Sequence, residues 1–202
     1  MTRLAIENIQ ADGLGPITLE IAAAECVCLS GPSGSGKSRL LRAIADLDVH
    51  TGQAYLDKRP RNHFRPADWR RAVGLLPPES HWWLERVAAH FRDIDFTALA
   101  ALGLDKRLLE QPVSQLSSGE RQRLGLLRLL ANNPRVLLLD EPTANLDPTN
   151  TRRVEGFLDR YRREQGTPIL WVTHDEQQIR RVASRQLSMT GGKLADGVKT
   201  PP

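Results

Sequence analysis

Gly31-Pro32-Ser33-Gly34-Ser35-Gly36-Lys37-Ser38 has the spacing G-x-x-x-x-G-K-[ST], the pattern of a loop that cradles phosphates. Three glycines let successive backbone N–H groups turn toward one anion, and a following helix adds its unpaired N–H groups and positive end. Lys37 is placed to reach the β- and γ-phosphates, and the Ser38 hydroxyl to ligate Mg²⁺. The flanks suit this. Cys26–Ser30 is apolar and β-prone, and Arg39–Leu47 has helical apolar spacing.

A second group of chemical residues follows the apolar run Val136–Leu139. Asp140 and Glu141 stand at its C-terminal end, where ligands bind in open α/β sheets, and Pro142 halts the strand. Asp140 suits a magnesium bound to nucleotide phosphates, directly or through water. Glu141 suits a base that orients and deprotonates a water attacking the γ-phosphate. The third group is Leu116-Ser117-Ser118-Gly119-Glu120. Ser117 and Glu120 form a capping box ahead of a helix, yet Gly119 in its first turn costs helix stability. A glycine there makes sense where an anion must approach the backbone at a positive helix end.

Leu116–Arg123 resembles the signature motif of ATP-binding cassette (ABC) ATPases. The other motifs fall in that family's order: phosphate loop 31–38, signature 116–120, strand and carboxylates 136–141, Ala144-Asn145-Leu146-Asp147 resembling the D-loop, and His174 resembling the switch histidine. The resemblance covers most of the chain. It implies an α/β fold: a P-loop NTPase (RecA-like) core with a mainly parallel sheet, an N-terminal antiparallel β subdomain and a helical insert. It implies one domain over 1–202, with the core at about 1–78 and 134–202 and the helical subdomain at about 79–133. It also implies a head-to-tail dimer, of identical or similar chains, that sandwiches two ATP molecules with Mg²⁺. Ser117, Ser118, Gly119 and Glu120 would serve the neighbour's nucleotide, His174 and Arg39 the chain's own, and Asp147 would couple the two sites.

Two positions depart from the family pattern. Residues 4–25 contain no Phe, Tyr or Trp to stack on adenine, so an aliphatic or Arg side chain takes that place. The family's glutamine after the strand entering the insert is missing from Leu76-Pro77-Pro78-Glu79-Ser80. Pro78 or Glu79 holds that position, and Glu79, able to ligate Mg²⁺, is the favoured reading.

The elements that must position these groups read as follows. Strands are expected at about 3–9, 17–21, 26–30, 52–57, 73–76, 136–139 and 169–173. Helices are expected after the phosphate loop and at 149–165 and 175–183. Residues 58–68 read as a polar, Pro-broken loop, and 79–133 as a mostly helical insert with breaks near Gly103 and Gln111-Pro112. Gln186–Met189 and Lys193–Ala195 flank Gly191-Gly192 as a terminal hairpin, with a loose tail to Pro202.

At 202 residues, 40% hydrophobic and net charge +4, the chain can bury a core, and its mild basicity demands no particular partner. Cys26 and Cys28 lie two apart on one strand face, so buried reduced thiols are expected. The first residues include an acid and lack a long apolar run, so no signal peptide is expected, and no apolar stretch reaches the roughly 18 residues of a membrane span. His81-Trp82-Trp83-Leu84 suits either an anchoring surface for the separate transmembrane permease that the resemblance implies or a pair of core tryptophans of the insert. The expected role is the ATP-hydrolysing subunit of a transporter, cytoplasmic and peripheral on the inner face of the cell membrane. A soluble ABC ATPase acting on nucleic acid or ribosomes is the alternative, and a small-molecule kinase a weaker one. The Arg pairs at 152–153, 162–163 and 180–181 lack interleaved aromatics, so no nucleic acid is expected.

Overall fold

The computed structural model describes residues 3–196; the tail expected to be loose lies outside them. Two sheets form the frame. The first is antiparallel, in the order β2-β1-β4-β5, from Leu4–Ala11 (β1), Leu14–Ile21 (β2), Thr51–Leu56 (β4) and Arg59–Pro60 (β5). β1 and β2 are joined by the tight turn Asp12-Gly13. Both strands run further than the alternation alone suggested, and β2 continues through Gly15-Pro16. A proline is tolerated there because β2 is the sheet edge and loses no ladder bond.

The second sheet is ordered β10-β9-β3-β8-β7-β6. Its members are Cys26–Ser30 (β3), Val73–Leu76 (β6), Val136–Asp140 (β7), Ile169–Val172 (β8), Arg185–Thr190 (β9) and Lys193–Asp196 (β10). β6, β7, β8, β3 and β9 are parallel, and β10 returns antiparallel to β9 across the Gly191-Gly192 turn. β7 shows why its sequence is apolar throughout. Val136 and Leu138 pack toward α1 (Lys37–Ile44) and the antiparallel sheet, while Leu137 and Leu139 pack toward the insert. A parallel strand covered on both faces has no solvated side to carry polar residues. α1 buries Leu40, Leu41, Ala43 and Ile44. Each fully buried Leu or Ile contributes about 1.5–3 kcal/mol, so α1 is held by packing and the loop ahead of it is anchored. Cys26 and Cys28 are buried free thiols on one face, as their spacing implied.

Two expectations need correction. Residues 58–68 are not one loop. After β5 comes a 3₁₀ turn at Arg61–His63, then α2 at Pro66–Ala72. Pro66 stands at the first helical turn, where its fixed φ and missing N–H start a helix rather than break one. Trp69 fastens α2: it is fully buried, and its indole N–H donates to the Ile44 carbonyl at 2.9 Å. The insert is also less helical than its Ala/Leu composition suggested. It holds α3 (Phe96–Ala101), three 3₁₀ turns and α4 (Ser118–Leu130), with irregular chain from 77 to 87. Leucines there, including Leu99, Leu102, Leu104, Leu108 and Leu109, are core residues spread over short pieces rather than stripes of long helices.

Candidate functional site

The phosphate loop leaves β3 and enters α1. Gly31, Gly34 and Gly36 have φ of 145°, 75° and 104°, so three of its residues adopt backbone shapes that side chains disfavour. At Gly31 a Cβ would also lie 2.1 Å from the Met189 carbonyl oxygen of β9. Lys37 Nζ donates to the Gly31 and Pro32 carbonyls at 2.8 and 2.9 Å and lies 3.4 Å from Ser35 Oγ. The ammonium thus arches over its own loop, where phosphate oxygens would be its stronger acceptors. Arg39, on the first turn of α1, reaches back and donates to the Asp12 carbonyl in the β1–β2 turn.

β7 delivers Asp140 and Glu141 beside this loop. Asp140 is 4% exposed. Burial pushes its carboxyl up from the ordinary carboxylate range and the Glu141 charge adds to that, while the nearby Ser38 hydroxyl and the Lys37 charge pull it back. Glu141 stands in the left-handed region at φ 48°, an uncommon shape for a non-glycine residue. Its N–H donates to the Val172 carbonyl at 3.0 Å, its carbonyl accepts from Ala144 N–H at 3.2 Å, and its Oε1 is 3.2 Å from His174 Nδ1. His174 follows β8 and is mostly exposed. Asp175 then caps α6 (Glu176–Val182), accepting from the Gln177 and Gln178 N–H groups at 2.8 and 3.1 Å. The C-terminal ends of the central strands β7 and β8 therefore bring Asp140, Glu141 and His174 together, with Asp140 beside Lys37 and Ser38 on the first turn of α1. Glu79, expected among the metal ligands, is exposed three residues beyond β6.

The signature residues lie on the insert. Ser117 is the N-cap of α4: its Oγ accepts from Glu120 N–H at 3.2 Å, and the Glu120 carboxylate accepts from Ser117 N–H at 2.9 Å and from the Ser117 hydroxyl at 2.7 Å. Those bonds, the hydroxyl's first, hold the Glu120 carboxyl below its usual range. Ser117 and Ser118 are exposed. Among the described residues no hydrogen bond joins 116–120 to 31–38. Gly119 has a reason inside the chain as well: a Cβ there would meet Asn145 O and Leu146 Cδ2 at 3.1 Å each. Asp147 is the N-cap of α5 (Pro148–Gln165), accepting from Asn150 N–H at 3.0 Å. That bond and the Asn150 amide hold its carboxyl down. Buried Arg123 ties the two motifs together, donating to Asn150 Oδ1 at 2.9 Å and to the Gly119 carbonyl at 3.2 Å.

The tryptophan pair divides. Trp82 packs on the insert core, with the Arg128 guanidinium 4.3 Å over its ring. Trp83 is 69% exposed beside Leu84. His90 holds that turn: its Nε2 accepts from the Trp83 and Leu84 N–H groups at 3.1 and 3.0 Å, so Nδ1 carries the proton and donates to the Arg86 carbonyl at 3.1 Å.

Motif reading missed Gly192. Its N–H donates to the Ser35 carbonyl of the phosphate loop at 3.0 Å, and its carbonyl accepts from Gly15 N–H at 2.8 Å. One hairpin residue thus clasps the phosphate loop to the β1–β2 hairpin. The Gly191-Gly192 pair signalled a turn, but nothing local says what the turn touches. Gln178, Glu155 and Thr143 escape the sequence for the same reason, since their contacts join distant segments.

A family model described as "ABC transporter" matches residues 14–144. Among solved structures, the chain is similar to the ATP-binding cassette MJ0796, a bacterial cassette whose dimer was solved in a post-hydrolysis state bound to ADP and Pi. Identity is 26%, coverage is 98% of this chain and 99% of that one, and the TM-score is 0.85. A bacterial Atm1-family ABC exporter with ATP bound matches at 22% identity, 98% and 39% coverage and TM-score 0.84. cbiO1 from Clostridium perfringens, part of the transporter complex cbiONQ, matches at 24% identity, 98% and 88% coverage and TM-score 0.79. The last two likenesses bear on the fold.

Proposed function

Because this chain belongs to the ABC transporter family and is an ATP-binding, ATP-hydrolysing cassette, we propose that it works as a two-cassette nucleotide sandwich driving a separate membrane-spanning chain. The observation that carries the site assignment is the junction of Lys37, Ser38, Asp140, Glu141 and His174 at the C-terminal ends of the central strands, with Glu141 Oε1 3.2 Å from His174 Nδ1.

In this reading the N–H groups of residues 31–38 bind the β- and γ-phosphates, and Lys37 exchanges its loop carbonyls for phosphate oxygens. Arg39 contacts the nucleotide beside the β1–β2 turn. The donors near the phosphates are hard oxygens, a hydroxyl at Ser38 and a carboxylate at Asp140, with Glu79 as a further carboxylate on the strand-β6 loop. That set fits Mg²⁺, which favours oxygen ligands shared with phosphates. When bound, the ion neutralises charge that builds on the phosphate oxygens. Glu141 takes the proton of the attacking water, and His174 holds Glu141 and the γ-phosphate in line. Ser117, Ser118, Gly119 and Glu120 of a second cassette close the site, since Ser117 and Ser118 are exposed at a helix N-terminus. Asp147, tied through Asn150 and Arg123 to the signature helix, couples the two halves.

The chain acts as one domain, with 79–133 as the arm carrying the signature. Exposed Trp83 and Leu84 form the apolar part of the face that meets the membrane partner. Among the described residues no helix is long and apolar enough to cross a membrane, and the proposed location is the inner face of the cell membrane, through that partner. Steady-state hydrolysis by Glu141→Gln tests the site. Turnover should fall about 10²- to 10⁴-fold with ATP binding retained. Near-normal turnover would remove Glu141 from the role.

A further inference from the structure

We infer that Gln178, locked from behind by Glu155, is a positioning residue that holds the Glu141 turn in its strained, hydrolysis-ready shape by gripping Thr143. The inference rests on the reading of Glu141 as the base.

The grip is short and directional. Gln178 Nε2 donates to Thr143 Oγ1 at 2.9 Å and to Glu155 Oε1 at 2.9 Å. Gln178 is 2% exposed and Glu155 7%. The amide cannot turn over, because a carboxylate accepts and does not donate, so the NH₂ end must face Glu155. Glu155 is itself fixed by Arg181, whose Nε and Nη2 donate to its two oxygens at 2.9 and 2.6 Å. A buried carboxylate needs such pairing to remain charged. The NH₂ that faces Thr143 is therefore aimed by α5 and α6 together.

What it grips matters because of where Thr143 stands. Glu141 has φ 48°, a shape that persists in a non-glycine residue only when its surroundings over-determine it. The turn that imposes it runs from Glu141 through Pro142 and Thr143, closed by Ala144 N–H donating to the Glu141 carbonyl at 3.2 Å and Leu146 N–H to the Thr143 carbonyl at 3.1 Å. Thr143 is the turn's side-chain anchor to the body of the protein. The other end of the anchor lies one helical turn from His174, since Asp175 caps α6 and Gln178 is the third residue of that helix. The Gln178–Thr143 bond therefore adds a side-chain tie, beside the Glu141 N–H to Val172 carbonyl bond at 3.0 Å, that fixes the separation of His174 and Glu141 from outside the reacting groups. Loss of the bond lets Glu141 relax toward ordinary backbone shapes and drift from the γ-phosphate, while the phosphate loop is untouched.

The purified chain tests this with kcat, KM for ATP and Tm of Thr143→Val, Gln178→Leu, the double variant and Thr143→Ser. Thr143→Val keeps the shape but removes the acceptor, at a partly exposed site that will fold. Each apolar single variant should lower kcat about tenfold with KM changed by less than about twofold. Thr143→Ser, which keeps the oxygen, should restore the rate. The double variant also strips one donor from buried Glu155, so its Tm should match that of Gln178→Leu rather than fall by the sum of the two single losses. Its kcat should stay about tenfold low. Wild-type kcat in Thr143→Val, a change confined to KM, or wild-type kcat in the double variant would overturn the inference. Glu141→Gln run in parallel separates the layers: normal turnover there sinks the base assignment, whereas a dead Glu141→Gln beside a fully active Thr143→Val sinks only the positioning role.

Discussion

Replacing Gly192 by Ala tests how the fold holds its phosphate loop. Gly192 has φ 76°, and an added Cβ would lie 2.2 Å from the Gly13 carbonyl oxygen. That oxygen belongs to backbone, so the hairpin must move away. Left-handed backbone costs Ala about 1–2 kcal/mol. Moving away also loosens two bonds, Gly192 N–H to Ser35 O at 3.0 Å and Gly15 N–H to Gly192 O at 2.8 Å, each worth about 0.5–1.5 kcal/mol. The total is about 2–5 kcal/mol, or a Tm drop of roughly 4–20 °C in a chain this size. Gly191 is the internal control. Its φ is 53°, but a Cβ there meets nothing within 4 Å, so Gly191→Ala should cost only the backbone part, about 1–2 kcal/mol. Urea unfolding gives both stabilities, and titration with fluorescent ATP gives both affinities. Gly192→Ala should also weaken ATP binding more than Gly191→Ala, because only it releases the Ser35 carbonyl. Two variants indistinguishable in stability and ATP affinity would refute the clasp.

Lys37→Ala should abolish detectable ATP binding in the same titration; retained tight binding would contradict the loop assignment. Trp83→Ala should leave ATPase activity and Tm nearly unchanged, because the side chain is 69% exposed, while weakening co-purification with a membrane-spanning partner. A large Tm loss would instead place Trp83 in the insert core with Trp82. Glu120 and Asp147 have folded pKa values lowered by hydrogen bonds, so their contribution to stability is present above their unfolded values of about 4 and is lost as pH falls through the lowered ones. The urea midpoint should therefore drop below about pH 4, and Glu120→Gln should flatten that drop; an unchanged slope would count against it.

The parts of the site legible in the sequence are those whose chemistry is local. A phosphate loop needs its glycines, Lys37 and Ser38 in one short run. Asp140 and Glu141 follow an apolar strand that announces its own end. Ser117 and Glu120 are a cap three residues wide. What escaped reading depends on contacts between distant segments. Gly192 reads as any hairpin turn until β9 and β10 bring it to Ser35. Gln178, Glu155 and Arg181 read as polar positions on two helix faces, and only packing of α5 against α6 turns them inward. The sequence suggests only an approaching anion as the reason for Gly119, whereas close approach of Asn145 and Leu146 constrains it within the chain as well. Pro66 hides α2, because a proline reads as a breaker unless it stands in the first helical turn. The insert looked more helical than it is because leucine and alanine content says that a segment is buried, not that one helix buries it.

The sharpest measurement is the mass of Glu141→Gln in solution by analytical ultracentrifugation, with and without ATP, beside a Glu141→Gln/Gly119→Asp variant. If Gly119 faces a partner's triphosphate, ATP should convert Glu141→Gln from monomer to dimer, and the added carboxylate at 119 should keep the chain monomeric at saturating ATP. A Glu141→Gln chain that binds ATP yet stays monomeric, or a Gly119→Asp chain that dimerises equally well, would contradict the shared site.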